Sequence, residues 1–160
     1  HDHFPTADGR VQLVPAQLIP ANERPDADYP MVLITGRQLE HWHTGAMTRR
    51  ASVLDALEPA ATVSLCGADL QRLALAPGEW VRVSTRRGSV ELVVRRDDGT
   101  PEGVAYMPFA YREAAANLLT NAALDPFGKI PEFKYCAVQV LPGGTLPEVR
   151  GYRSAQGTAA

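Results

Sequence analysis

Thirteen prolines and thirteen glycines are spread along 160 residues and cut this chain into short pieces. The apolar runs left between them are too short for long helices, so the punctuation reads as a β-rich fold with many turns. Asp8-Gly9-Arg10 reads as a turn, and Val11-Gln12-Leu13-Val14 after it as a short alternating strand. Residues 20–30 form a polar, proline-bearing linker with Glu23, Asp26 and Asp28, near which the compact domain is expected to begin. Residues 31–35 are continuously apolar, as in a strand buried on both faces, and open at Gly36 into a loop that runs to about Arg50. Residues 51–57 suit a short helix or turn, and residues 62–66 a second strand. Residues 67–73 suit a short helix with Leu70 and Leu73 on one face. Residues 79–84 and 90–94 alternate at period two about Thr85-Arg86-Arg87-Gly88, which predicts a β-hairpin with the two arginines at a solvated tip. Residues 104–108 and 136–140 read as strands, and the Ala-rich residues 113–119 as a helical turn. From Pro142 the chain is rich in Gly, Pro and Ala and reads as a mobile tail. Six or so short strands with few helices predict a small closed barrel rather than a doubly wound α/β sheet.

Composition narrows the function. The 45% hydrophobic content suits one domain with a usable core. Sixteen Lys and Arg stand against eighteen Asp and Glu, a net charge of −2, which argues against a nucleic-acid or membrane-surface protein. No apolar run approaches the roughly 20 residues of a membrane span. The polar opening His1-Asp2-His3-Phe4-Pro5 carries no secretory signal and no initiator Met, as expected of a fragment. Cys66 and Cys136 each sit in an apolar run and read as buried, reduced thiols. Without a Cys-x-x-Cys pair, the chain is not expected to build a zinc site or an iron–sulfur cluster of its own.

The densest polar cluster is residues 35–50, directly after the first strand. Gly36 and Gly45 let the backbone turn tightly and approach a ligand. Thr35, Thr44 and Thr48 offer hydroxyls, while Arg37, Arg49 and Arg50 offer forks suited to phosphates. Trp42, His41 and His43 offer flat faces and ring nitrogens. The residues alone admit two readings: a loop that holds a phosphorylated aromatic ligand, or a solvated surface loop. On a strand, His41-x-His43 would point both rings to one face, but no third ligand stands nearby, so metal ligation is not expected.

Leu33-Ile34-Thr35-Gly36-Arg37, His41-Trp42-His43-Thr44-Gly45 and Met47-Thr48-Arg49-Arg50 together resemble the signature of the carboxy-terminal domain of molybdopterin-dependent formate dehydrogenases, within the dimethyl sulfoxide reductase family. Further similar segments follow in order. They are Val81-Arg82-Val83-Ser84-Thr85-Arg86-Arg87-Gly88; Met107-Pro108-Phe109; Ala116-Asn117-Leu118-Leu119-Thr120 with Ala123-Leu124-Asp125-Pro126; and Lys129-Ile130-Pro131-Glu132-Phe133-Lys134-Tyr135-Cys136-Ala137-Val138. Phe4-Pro5-Thr6-Ala7-Asp8-Gly9-Arg10 resembles the lead-in to that domain.

The resemblance implies a mainly β fold: a six-stranded double-psi β-barrel of the aspartate decarboxylase-like type with short helices. Residues 1–29 would be lead-in and linker, 30–141 the cofactor-binding barrel and 142–160 the tail. The implied cofactor is bis(molybdopterin guanine dinucleotide) with molybdenum or tungsten, shared with upstream catalytic domains of the same polypeptide. Iron–sulfur clusters would lie only in the rest of that enzyme. Thr35, Gly36, Arg37, Gln38 and Leu39 would line the first contact loop, continued by His41, His43, Thr44 and Thr48. Asn117, Phe133 and Lys134 would approach from the far side. Asn117 suits a pterin edge, and Lys134 a phosphate or carbonyl oxygen. From the residues alone, the alternatives are a helix-end or turn residue for Asn117 and a solvated strand-edge lysine for Lys134. No catalytic residue, nucleic-acid partner or membrane insertion is expected. The location expected is cytoplasmic, and the isolated chain is expected to bind without turnover. The alternatives are a separate cofactor-binding subunit, the equivalent domain of a nitrate reductase and, from Gly88-Ser89, a self-processing decarboxylase.

Overall fold

The computed structural model describes residues 3–144. Six strands close into one barrel: β1 (Met31–Gly36), β2 (Thr62–Leu65), β3 (Trp80–Thr85), β4 (Gly88–Arg96), β5 (Val104–Pro108) and β6 (Cys136–Pro142). Their order around the barrel is β1-β5-β2-β4-β3-β6. The pairs β1–β5 and β2–β4 are parallel and the other four antiparallel, a mixed closed barrel as expected. Helices are short: α1 (Ser52–Leu57), α2 (Gly67–Arg72) and single 3-10 turns at Thr48–Arg50 and Ala116–Leu118.

Alternation fills the barrel. Met31, Leu33 and Thr35 of β1, Val81, Val83 and Thr85 of β3, and Val90, Leu92 and Val94 of β4 point inward and are buried. Truncating a fully buried member such as Leu33 to Ala costs about 2–5 kcal/mol. β1 is not buried on both faces as its apolar run suggests, since Val32 and Ile34 are only half-buried; β2 is the strand covered throughout. The β3–β4 hairpin turns at Arg86-Arg87, with Thr85 paired to Gly88.

The strand expected at residues 11–14 does not form. Val11, Leu13, Val14, Leu18 and Ile19 lie exposed. The barrel closes on itself and offers no free edge for a further strand, and Pro15 and Pro20 lack the N–H that a ladder needs. Most of the expected tail, residues 145–160, lies outside the described residues.

Strand direction sorts the connections to two ends. The loop after β1, the Arg86-Arg87 turn, and the loop joining β5 to β6 all leave one end. The opposite end carries α2 and the tight link from β4 to β5. There Asp69, fully buried, accepts from the N–H of Gly103 at 2.7 Å, from Arg72 at 2.6 Å and from the Cys66 thiol at 3.4 Å. Burial alone would raise the Asp69 pKa, but the Arg72 and Gly103 donors outweigh it and hold the carboxyl below its ordinary value.

Candidate cofactor site

All the candidate residues sit at one barrel end, Thr35 and Gly36 at the end of β1 and the others on the segments that follow β1 and β5. The two loops touch where the Thr35 hydroxyl donates to the carbonyl of Phe133 at 2.7 Å. Thr35 is therefore brought beside Phe133, although the two stand 98 positions apart in sequence.

The candidates divide by what their polar atoms do. Thr35 is buried and its hydroxyl committed to Phe133. Gln38 donates its amide to Glu40 at 2.8 Å. Thr48 Oγ1 accepts the N–H of Trp42 at 2.9 Å and closes the loop on itself. His41 turns into the core, 1% exposed, edge-on to Tyr111 at 5.5 Å. Its Nε2 lies 2.8 Å from the carbonyl of Glu58, which also accepts the Tyr111 hydroxyl at 3.0 Å. A carbonyl only accepts, so His41 Nε2 is the donor, and Nδ1 is buried without a partner among the described residues. Such an unpaired atom costs about 1–3 kcal/mol. The two histidines do not share a face: His43 adopts φ +48° and its ring lies against Trp42 at 4.4 Å.

Other candidates are open. Among the described residues nothing bonds the exposed Arg37 guanidinium, the Asn117 amide or the Thr44 hydroxyl. Lys134 Nζ has only the Phe133 ring, 5.8 Å away. Leu39 is 95% exposed and presents an apolar face beside Arg37. The Arg37 carbonyl, by contrast, is held by the Tyr106 hydroxyl at 2.5 Å.

Both glycines of the loop are required by the protein itself. A Cβ on Gly36 would fall on the Tyr106 ring, and one on Gly45 would lie 2.6 Å from the carbonyl of Ala110, with φ at +73°. Arg49, expected to offer a fork to phosphate, is instead spent on Asp55 at 2.6 Å, Glu113 at 2.9 Å and the Pro59 carbonyl at 3.3 Å, and it stacks over Tyr111. Arg86 and Arg87 are likewise no solvated tip: both pair with Glu23, and Arg86 also with Asp26. Sequence reasoning missed Glu23, Tyr106, Tyr111 and Glu113, whose partners lie far along the chain. Among the described residues no cluster of His, Cys, Asp or Glu could hold a metal ion.

The open groups pair two cations, a primary amide and a hydroxyl with an exposed aliphatic face. This donor set fits a phosphate-bearing ligand with heteroaromatic rings, because the cations answer phosphate and the amide answers a ring edge.

The chain belongs to the molydopterin dinucleotide binding domain family, which it matches over residues 31–137. Within that class it is 41% identical, over 87% of its own length and 21% of the relative's, to the F420-dependent formate dehydrogenase subunit alpha of Methanocaldococcus jannaschii. It is 39% identical, over 84% of its length and 20% of the relative's, to the F420-dependent formate dehydrogenase 1 subunit alpha of Methanococcus maripaludis. It thus spans about a fifth of the length of these curated relatives. The fold is shared with the acetylene hydratase from Pelobacter acetylenicus, with TM-score 0.65 and 21% identity over 72% of this chain and 19% of that one.

Proposed function

We propose that this chain is the cofactor-binding domain of a formate dehydrogenase catalytic subunit. In this reading residues 30–141 are the binding unit, and the ligand is the bis(molybdopterin guanine dinucleotide) carrying molybdenum or tungsten. The observation that carries the reading is the set of groups at one barrel end, within the span matched to the family, that have no partner among the described residues. Arg37 and Lys134 would meet phosphate oxygens. Asn117, Thr44 and the backbone at Gly36 would meet ring edges. Thr35, Gln38, His41 and Thr48 would act mainly by holding the loop in shape, with Leu39, His43 and Phe133 shielding the ligand from water.

When bound, the cofactor supplies the two-electron chemistry that takes formate to carbon dioxide. This chain's part is to bind, to orient and to exclude solvent. The catalytic metal ligand and the iron–sulfur clusters would stand in upstream domains of the same polypeptide. Two buried, unbridged thiols, Cys66 and Cys136, fit a reducing compartment such as the cytoplasm. The names of the relatives favour formate over nitrate.

The test is made on the full-length polypeptide that carries this domain. Hydrolysis of the cofactor pyrophosphate should release GMP in a fixed ratio to protein, and the protein should reduce a dye with formate but not oxidise a dye with nitrate. Protein without releasable GMP would refute cofactor binding, and nitrate-dependent activity would shift the reading to the nitrate reductases. The 160-residue chain alone should show no formate-dependent turnover.

A further inference from the structure

Two residues of the lead-in, outside the 31–137 span of the family match, bracket the Phe133–Lys134 segment. On one side the N–H of Asn22 donates to both carboxylate oxygens of Glu132 at 3.2 Å, and Asn121 donates to the same carboxylate at 3.0 Å. On the other side Glu23 accepts the N–H of Ala137 at 2.9 Å. Glu23 also binds Arg87 through two guanidinium nitrogens and Arg86 through one. The third nitrogen of Arg87, Nε, donates to the carbonyl of Leu119 at 2.8 Å. That carbonyl also accepts the Thr85 hydroxyl at 3.0 Å and the Cys136 thiol at 3.5 Å. Gly88 leaves room for this loop, since a Cβ there would sit 3.1 Å from the Leu118 carbonyl.

One carboxylate therefore fixes both arms of the far side of the site. Through Arg87 it holds Leu119, two residues from Asn117. Through Ala137 it holds the start of β6, three residues from Lys134. Glu23 is only 13% exposed, and Arg87 keeps its carboxyl below the ordinary value despite partial burial. A charged, bidentate partner suits geometric control better than a neutral one. Asn117 and Lys134, by contrast, have no side-chain hydrogen bonds of their own among the described residues, so their placement depends on the backbone beneath them.

We propose that Glu23, acting through Arg87 and Ala137, is a positioning residue for the Asn117 and Lys134 arm of the cofactor site, and that the functional unit therefore begins in the lead-in. This rests on the reading of the barrel end as a cofactor site. Glu23 touches no ligand in it; its effect is to set where two ligand-facing side chains stand.

The experiment uses the full-length polypeptide loaded with cofactor. Glu23→Gln keeps the shape and the acceptor for Ala137 while removing the charge that grips Arg87. Arg87→Lys keeps the charge and loses the Nε bond to Leu119. Asp98→Asn is the control at the other barrel end, where it likewise removes a carboxylate charge, the one paired with Arg96, while keeping the acceptor for the Gly67 N–H. Two quantities are read: amide hydrogen exchange, and the rate at which protein-bound GMP-releasing cofactor is lost after gel filtration. Both site variants should exchange about tenfold faster over residues 117–134, with residues 62–65 unchanged, and should lose cofactor about tenfold faster. Asp98→Asn should do neither. Faster local exchange with wild-type cofactor retention would overturn the proposal and leave a purely structural clasp. Equal cofactor loss in Asp98→Asn would overturn it as a general stability effect. Should Glu23→Gln fail to fold, Arg87→Lys decides between the same outcomes. A wild-type polypeptide that releases no GMP refutes the cofactor reading itself, which separates that failure from this one.

Discussion

The two ends of the barrel solve opposite problems with similar residues. At the end that carries α2, Asp69 is fully buried and satisfied by Gly103, Arg72 and Cys66, and the neighbouring turn is closed by Asp97 bonding Gly99 and Thr100. These groups are used up in holding the chain. At the loop end Glu23, Arg49 and Arg87 are used up in the same way, but around them Arg37, Asn117 and Lys134 have no hydrogen-bond partners for their side chains among the described residues. A surface that spends its charges internally is finished; one that frames unspent charges with spent ones has room for a ligand. Leu39, Trp42 and Met47 after β1, Val53 of α1 and Leu118 add exposed apolar surface at the open end.

The strongest attack on this contrast is at the closed end. Asp69→Ala should cost about 3 kcal/mol in denaturant unfolding, since it strands the buried N–H of Gly103. It should leave the cofactor content of the folded protein unchanged, and a large loss of cofactor would break the division between ends. The cost is also pH-dependent. Asp69 titrates below its ordinary 3.8 when folded, so its stabilisation is complete above that value and is lost as pH falls through the lower folded value. The acid limb of the wild-type stability profile should flatten in the variant.

The open end should instead govern the alkaline limb. Tyr111 is buried beneath the His41 loop, and burial pushes its hydroxyl up to about 12 from 10.0. With the folded value above the unfolded one, the stabilisation is complete below pH 10.0 and disappears as pH climbs toward about 12. Tyr111→Phe should cost about 1 kcal/mol at neutral pH, because the Glu58 carbonyl keeps His41 as a donor. In ultraviolet titration the variant should lose a late-ionising tyrosine. A variant with the same late phase as wild type would place that residue elsewhere.

How much of this was legible in the sequence depends on the range of each contact. Alternation at Val81 and Val83 against Val90, Leu92 and Val94 revealed the hairpin, because strand and turn are local. The loop after β1 was legible as a site because its polar residues are contiguous. The roles inside it were not. Arg49 looks like Arg37 in sequence, and only the fold brings Glu113, 64 positions away, to occupy it. Arg87 looked solvated because Glu23 is likewise 64 positions distant. Val11 and Leu13 alternate about Gln12 as in a strand, but a closed barrel has no edge to receive them.

The smallest effect on folding is expected where the largest effect on binding is proposed. The Arg37 side chain is exposed and makes no bond among the described residues, so Arg37→Ala should change unfolding free energy by less than about 0.5 kcal/mol. Its backbone carbonyl, which holds Tyr106, survives the substitution, and the loop should keep its shape. Cofactor retention by the full-length polypeptide should nonetheless fall, since a guanidinium facing phosphate contributes about 1.5–3 kcal/mol. Arg50, on the same loop, already has an interaction within the protein, so Arg50→Ala should have the weaker effect on retention. If the two substitutions released cofactor equally, the loop would be acting as a general positive field, and the distinction between occupied and open side chains would not determine what this end of the barrel binds.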